Sequence, residues 1–213
     1  MIIINKMKKI TEALIPKNLS DELKNESQAY LKTLTDLGKS KINNYKEEIE
    51  INLIESNDKT FPVNAIQSVI SDIRICSRDH TDDIGKTLDE ILKGFIYEEK
   101  EHVSKTLISN SIEPLFTNSD DTESEIKDYF LISEDKFIKR LDFVCWTRNI
   151  KPNVLTENLD AMFVFVMYKS IVDMKKVDAN DFLKAYMKTI KIENPEVDKI
   201  ANKCIEIYKD YRY

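Results

Sequence analysis

The sequence predicts an all-α protein, a compact multi-helix bundle of about seven to nine helices around a central apolar helix. Three observations carry this expectation. Only Gly38, Gly85 and Gly94 are glycine among the 213 residues, against an average usage of about 7%. Tight hairpins and phosphate loops need glycine where φ is positive or where backbone must approach a ligand. Apolar residues recur at steps of three and four through most of the chain. Pro16, Pro62, Pro114, Pro152 and Pro195 cut it into blocks, each long enough for one or two helices. The expected unit is one all-α domain over 1–213, with 1–60 open to being a peripheral helical arm.

The first block opens at Ser20, followed by Asp21 and Glu22. A cap oxygen and early negative charge suit the exposed N–H groups of a helix start. Leu23, Tyr30, Leu31, Leu34 and Leu37 form a narrow stripe, which Gly38 is expected to interrupt. Ile42, Tyr45, Ile49 and Ile51 continue it in a highly charged segment, and the alternation of Ile49, Ile51 and Leu53 leaves a short strand as the lesser reading.

After Pro62, Val63, Ile66, Val69, Ile70, Ile73 and Cys76 fall on one helical face. Thr81-Asp82-Asp83 then begins a long amphipathic helix from about 82 to 109, with Ile84, Leu88, Ile91, Leu92, Phe95, Ile96, Val103 and Leu107 on its inner side. Thr122 and Glu125 have capping-box spacing. Ser133 starts a widely apolar helix through EDKFIKRLDFVCWTRNI, in which Phe137, Ile138, Leu141, Val144 and Cys145 make one face and Phe143 and Trp146 extend it.

LDAMFVFVMYKSIVDM, residues 159–174, is the most apolar stretch and the expected central helix. Its uninterrupted apolar run ends at Lys169, far short of the roughly 20 residues a spanning helix needs. Asp178 or Asn180 begins the next helix. The last follows Asn194-Pro195-Glu196, with Val197, Ile200, Ala201, Cys204, Ile205 and Tyr208 lining one face.

Little in the chain points to chemistry. The formal net charge is −6, which argues against nucleic acid or anionic lipid as a general partner. Cys76, Cys145 and Cys204 lie far apart in apolar patterns without zinc spacing, so buried thiols are expected. Glu99-x-x-His102 puts two ligand types on one helix face, yet the two histidines of the chain cannot build a paired di-iron motif, because His80 lacks the matching glutamate. His80, with Asp79, Asp82 and Asp83, reads as a junction between helix ends. No glycine-rich phosphate loop or nucleophile elbow occurs. Arg140 and Asp142, on so apolar a segment, are expected to be partly buried and paired.

These readings imply no cofactor, no metal and no catalytic residue. The function they favour is that of a non-enzymatic helical protein acting through a surface, by protein partner binding or self-association. The alternative is a membrane-active α-helical toxin or pore former, with Met162, Phe163, Phe165, Val166, Met167 and Tyr168 as the inserting residues. MIIINKMKK lacks the charge order and apolar length of a signal peptide. The expected location is therefore cytoplasmic as synthesised, with release by a non-classical route left open.

Overall fold

Four antiparallel strands in the order β1-β4-β3-β2 form the centre of the protein. The expected all-α bundle is thus wrong. The computed structural model describes residues 15, 20–54, 61–77, 83–96, 98–117, 123–150, 159–193 and 197–212. In chain order these are α1 (Asp21–Ile54), β1 (Val63–Ser77), α2 (Asp83–Leu92), α3 (Glu98–Ile112), α4 (Pro114–Thr117), β2 (Glu123–Glu134), β3 (Phe137–Asn149) and β4 (Leu159–Val172). A 3-10 turn (Met174–Lys176) leads to α5 (Ala179–Glu193) and α6 (Val197–Arg212).

The expected central helix is instead β4, one of the two inner strands, paired with β1 on one side and β3 on the other. All residues from 162 to 170 are buried. Alternation of side chains along a strand sends Phe163, Phe165 and Met167 to one face and Met162, Val164, Val166 and Tyr168 to the other. Helices cover both faces, so no polar alternation marks β3 or β4, and a doubly buried strand reads as a continuous apolar run. The Val63–Cys76 pattern likewise belongs to β1, not to a helix. Its β-branched content favours the strand.

The glycine argument fails at the β2–β3 hairpin. Asp135 and Lys136 both take left-handed backbone angles, φ 51° and 61°, and close a two-residue turn without any glycine. Two positive φ values match the twist of flanking strands. Each costs about 1–2 kcal/mol in a residue with a Cβ, which long paired strands can absorb.

The capping signals of α1 and α5 hold, while those at Thr81 and Asn194 lie outside the described residues. Ser20 Oγ accepts the Leu23 N–H at 3.4 Å. Asp178 Oδ1 accepts the N–H groups of Asn180 at 2.8 Å and Asp181 at 3.4 Å. α1 runs unbroken through Gly38 and buries Ser27, Leu31, Leu34, Gly38, Tyr45, Ile49 and Leu53. The lesser strand reading at 49–53 falls within this helix. Gly38 is there for close approach: a Cβ would overlap the Met162 methyl and stand 3.0 Å from Ile73 Cγ2. The helix expected over 82–109 is two helices. Gly94, at φ 76°, turns the chain after α2 and lets Phe95 and Ile96 into the core before α3 begins.

Three clusters of buried side chains result. One joins α2, α3 and α4 to one sheet face through Leu88, Ile108 and Leu115 against Phe143 and Phe165. A second joins α1 to the other face through Leu31, Leu34 and Tyr45 against Trp146 and Val164. In the third, Phe182, Tyr186 and Tyr208 of α5 and α6 pack with Leu131, Ile138 and Val172 at the hairpin end of the sheet.

Two substitutions probe these constraints by chemical denaturation. Gly38→Val is expected to lose about 2 kcal/mol or more, since overpacking outweighs any gain in helix propensity. Lys136→Gly is expected to gain about 1 kcal/mol by relieving the left-handed backbone.

Candidate functional site: an open sheet edge

The two edges of the sheet are finished differently. Along β2, the Leu131 carbonyl accepts the Thr189 hydroxyl of α5. Lys188 approaches Asp128 at 3.7 Å, and Tyr211 of α6 donates to Ser133 Oγ at 3.2 Å. Helices therefore cover that edge from Asp128 to Ser133. Along β1, no further strand among the described residues adds to the outer side.

Hydrogen bonds reveal which β1 residues face outward. The Ile73 N–H donates to Asp72 Oδ1 at 3.0 Å, which marks it as directed away from β4. In an antiparallel ladder alternate residues direct N–H and C=O to the same neighbour. Ile73 pairs with Val164, Val164 with Trp146 and Trp146 with Glu125. Carrying the alternation across these pairs makes the odd residues of β2 face outward. The Tyr129 N–H, capped by Asp128 Oδ1 at 2.8 Å, and the Leu131 carbonyl obey that parity. The outward groups of β1 are hence those of Val69, Ser71, Ile73 and Ile75.

These residues lie in the regular part of β1. Register shifts fall between Val63 and Ala65, Ile66 and Ser68, and Cys76 and Ser77, while pairing from Ser68 to Cys76 is continuous. Edges are commonly blunted by lysine, proline or shortness. β1 contains neither lysine nor proline and is 15 residues long. Val69 is 40% exposed, one of few large apolar side chains on the surface. Asp72 also accepts Arg74 Nε at 2.6 Å, and Arg74 reaches Glu90 at 3.0 Å. One carboxylate thus satisfies an outward N–H and holds a cation at the middle of the edge.

The other charged groups that the sequence singles out are internal. Arg140 donates from Nε and Nη2 to Asp142 Oδ1 at 3.0 and 2.7 Å, donates to the Phe61 carbonyl at 3.3 Å and lies over the Tyr129 ring. This is the expected pair. Asp142 Oδ2 and the nearby Ser170 Oγ are buried without a hydrogen-bond partner. Burial raises the Asp142 carboxyl above its ordinary value, against the pull of Arg140. On the opposite face Lys169 donates to Glu134 at 3.0 Å and the Phe95 carbonyl at 2.6 Å. Lys139 donates to Gln67 at 2.7 Å, and burial pulls its ammonium below the usual lysine range. A depressed lysine can serve as a base, but Lys139 is only 1% exposed, and its neighbour Lys169 is 8% exposed. They brace the sheet from within.

Met162, Phe163, Phe165, Val166, Met167 and Tyr168 are no more than 2% exposed, in the middle of β4. The membrane-active reading expects a helix there; the structure has a strand held by two ladders. No helix among the described residues is long and apolar enough to cross a membrane. Among them, too, no three His, Cys, Asp or Glu side chains come together as a metal site. His102 is on α3; His80, residues 118–122, and the side chains of Cys76, Glu98 and Glu99 lie outside the described residues. Cys145 and Cys204 are buried thiols.

Compared with protein-family models, curated proteins and solved structures, the chain matches none. The open edge escapes sequence reasoning because β1 also fits helical spacing. Its one legible mark is the Ile-rich run from Val69 to Ile75, free of lysine and proline.

The Arg140–Asp142 pair makes a prediction for equilibrium unfolding. A raised carboxyl means that desolvation outweighs attraction to the guanidinium. Asp142→Leu alone strands Arg140 and is expected to cost about 3 kcal/mol. Arg140→Met with Asp142→Leu is expected to return to within about 1 kcal/mol of wild type, or above it. The sign with pH follows. The unfolded carboxyl ionises first, so Asp142 favours the fold below its ordinary value of 3.8, and this contribution is lost as pH rises through the raised value. The double variant should lack it.

Proposed function

We propose that the protein is a binding module, not an enzyme, and that it acts by accepting an extended strand along the open edge of β1. One observation carries this reading: α5 and α6 cover the β2 edge from Asp128 to Ser133, while Val69, Ser71, Ile73 and Ile75 direct their backbone groups away from the sheet on the other side. Strand addition takes its affinity from main-chain hydrogen bonds and its selectivity from alternate side chains. Val69 supplies an exposed apolar contact, and the charges of Asp72 and Arg74 supply a fixed pattern for a partner to match. The buried side chains of β4 hold the edge rigid and take no part in contact.

Proline at position 71 tests this reading. The Ser71 N–H faces outward, so Ser71→Pro removes a donor from the open edge without removing one from the β1–β4 ladder. A photo-activated cross-linking side chain at Val69, in cells, should form a defined adduct that Ser71→Pro abolishes and Ser71→Ala retains, with melting temperatures within a few degrees of one another. An adduct insensitive to proline, or none from Val69, would contradict strand addition.

A further inference from the structure

We infer that the strand accepted by β1 is β1 of a second copy, antiparallel about a two-fold axis through Ile73, joining two four-stranded sheets into one. The inference rests on the reading of β1 as the binding edge and names its occupant.

Self-pairing of an antiparallel edge has few registers, and the charges choose among them. With the axis at Ile73, Ser71 faces Ile75 of the second copy and Ile70 faces Cys76. Asp72 then stands opposite Arg74, and the symmetry repeats this contact, giving two opposite-charge pairs on one face. An axis at Asp72 would oppose two carboxylates, and an axis at Arg74 two guanidiniums. An axis at Ser71 would set Asp72 against Ile70 and Arg74 against Ser68, so neither charge finds a counterpart. Only the Ile73 register satisfies both.

The hydrogen bonds agree. Ile73 faces outward, so two copies exchange N–H and C=O directly at the axis, and Ser71 and Ile75 add theirs on either side, about six main-chain bonds in all. Positions 72 and 74 are then the closely spaced, non-hydrogen-bonded pair, where side chains meet best. In the single chain Asp72 Oδ1 takes the Ile73 N–H and Oδ2 takes Arg74. On pairing, the Ile73 N–H passes to the Ile73 carbonyl of the second copy, and the released Oδ1 turns to the Arg74 opposite. No polar group of the edge is left without a partner by the exchange. The segment used, from Ile70 to Cys76, is the part of β1 that has no register shift.

Reciprocal charge reversal provides the test, read by sedimentation of the whole chain at tens of micromolar. Asp72→Arg opposes two arginines at each contact, and Arg74→Asp opposes two aspartates. Wild type is expected to sediment as a dimer. Each variant alone should be weakened at least tenfold and run as a monomer. An equimolar mixture of the two should recover the dimer, since each supplies the charge that the other lacks. An effect inside one chain cannot produce that recovery. A monomeric wild type, variants that still dimerise, or a folded mixture that stays monomeric would each overturn the inference. If either reversal fails to fold, Ser71→Pro replaces it and must abolish the dimer; a proline variant that still dimerises overturns the inference equally. A monomeric wild type whose proline-sensitive Val69 adduct is to another protein would remove the second copy and keep the binding edge. A monomer without such an adduct would remove both.

Discussion

Everything in this fold depends on β4. It is hydrogen-bonded along both sides, to β1 and β3, and covered on both faces, by α1 and by the α2–α4 layer. Fully burying a large apolar side chain is worth about 1.5–3 kcal/mol. The six residues from Met162 to Tyr168 that the sequence marks as an inserting element therefore contribute on the order of the whole stability of a domain. Such a segment does not leave the core while the protein stays folded. Its neighbours are positioned by it in turn: Gly38 lets α1 approach Met162 and Ile73 closely, and Tyr168 donates to Glu50 of α1 at 2.6 Å.

A sheet made this way has two edges to manage. From Asp128 to Ser133, β2 is managed by the C-terminal helices. Thr189 takes up the Leu131 carbonyl, and Tyr208 donates to the Val177 carbonyl at 2.8 Å, tying α6 to the segment that follows β4. Among the described residues β1 has a lighter guard, an aspartate bonded to the next N–H and to an arginine two residues on. Charged residues on an edge can oppose association. Here the arrangement of Asp72 and Arg74 about Ile73 is also self-complementary, so the same pair that satisfies the single chain can serve a joined one.

The sequence made the helices legible and hid the sheet. Ser20 and Asp178 announced α1 and α5 because capping is local chemistry, read directly from residue type. Three things hid the strands. β3 and β4 are buried on both faces, so Phe143, Trp146, Phe163 and Val166 show no alternation of polarity. β1 carries apolar residues on both faces, Ile70 on one and Ile66 and Ile73 on the other, and together they fall at spacings that a helix also produces. The β2–β3 turn uses Asp135 and Lys136 where glycine is the usual sign. The enrichment of β4 in aromatic and β-branched residues was the evidence that favoured a strand. Of the charged groups, the Arg140–Asp142 pair was legible as a pair. The open edge was not, because an edge is defined by what lies beside it, and the covering of β2 by α5 and α6 is a tertiary fact.

The central claim is that β1 is an edge and β4 is not. Residue-resolved amide hydrogen exchange, at a dilution where the chain sediments as a monomer, tests it most directly. Exchange should be slow throughout Met162–Ser170. In β1 it should alternate with period two, slow at Ile70, Asp72 and Arg74 and fast at Ser71 and Ile75. Uniform protection along β1, or protection recurring every three to four residues in either segment, would contradict the claim.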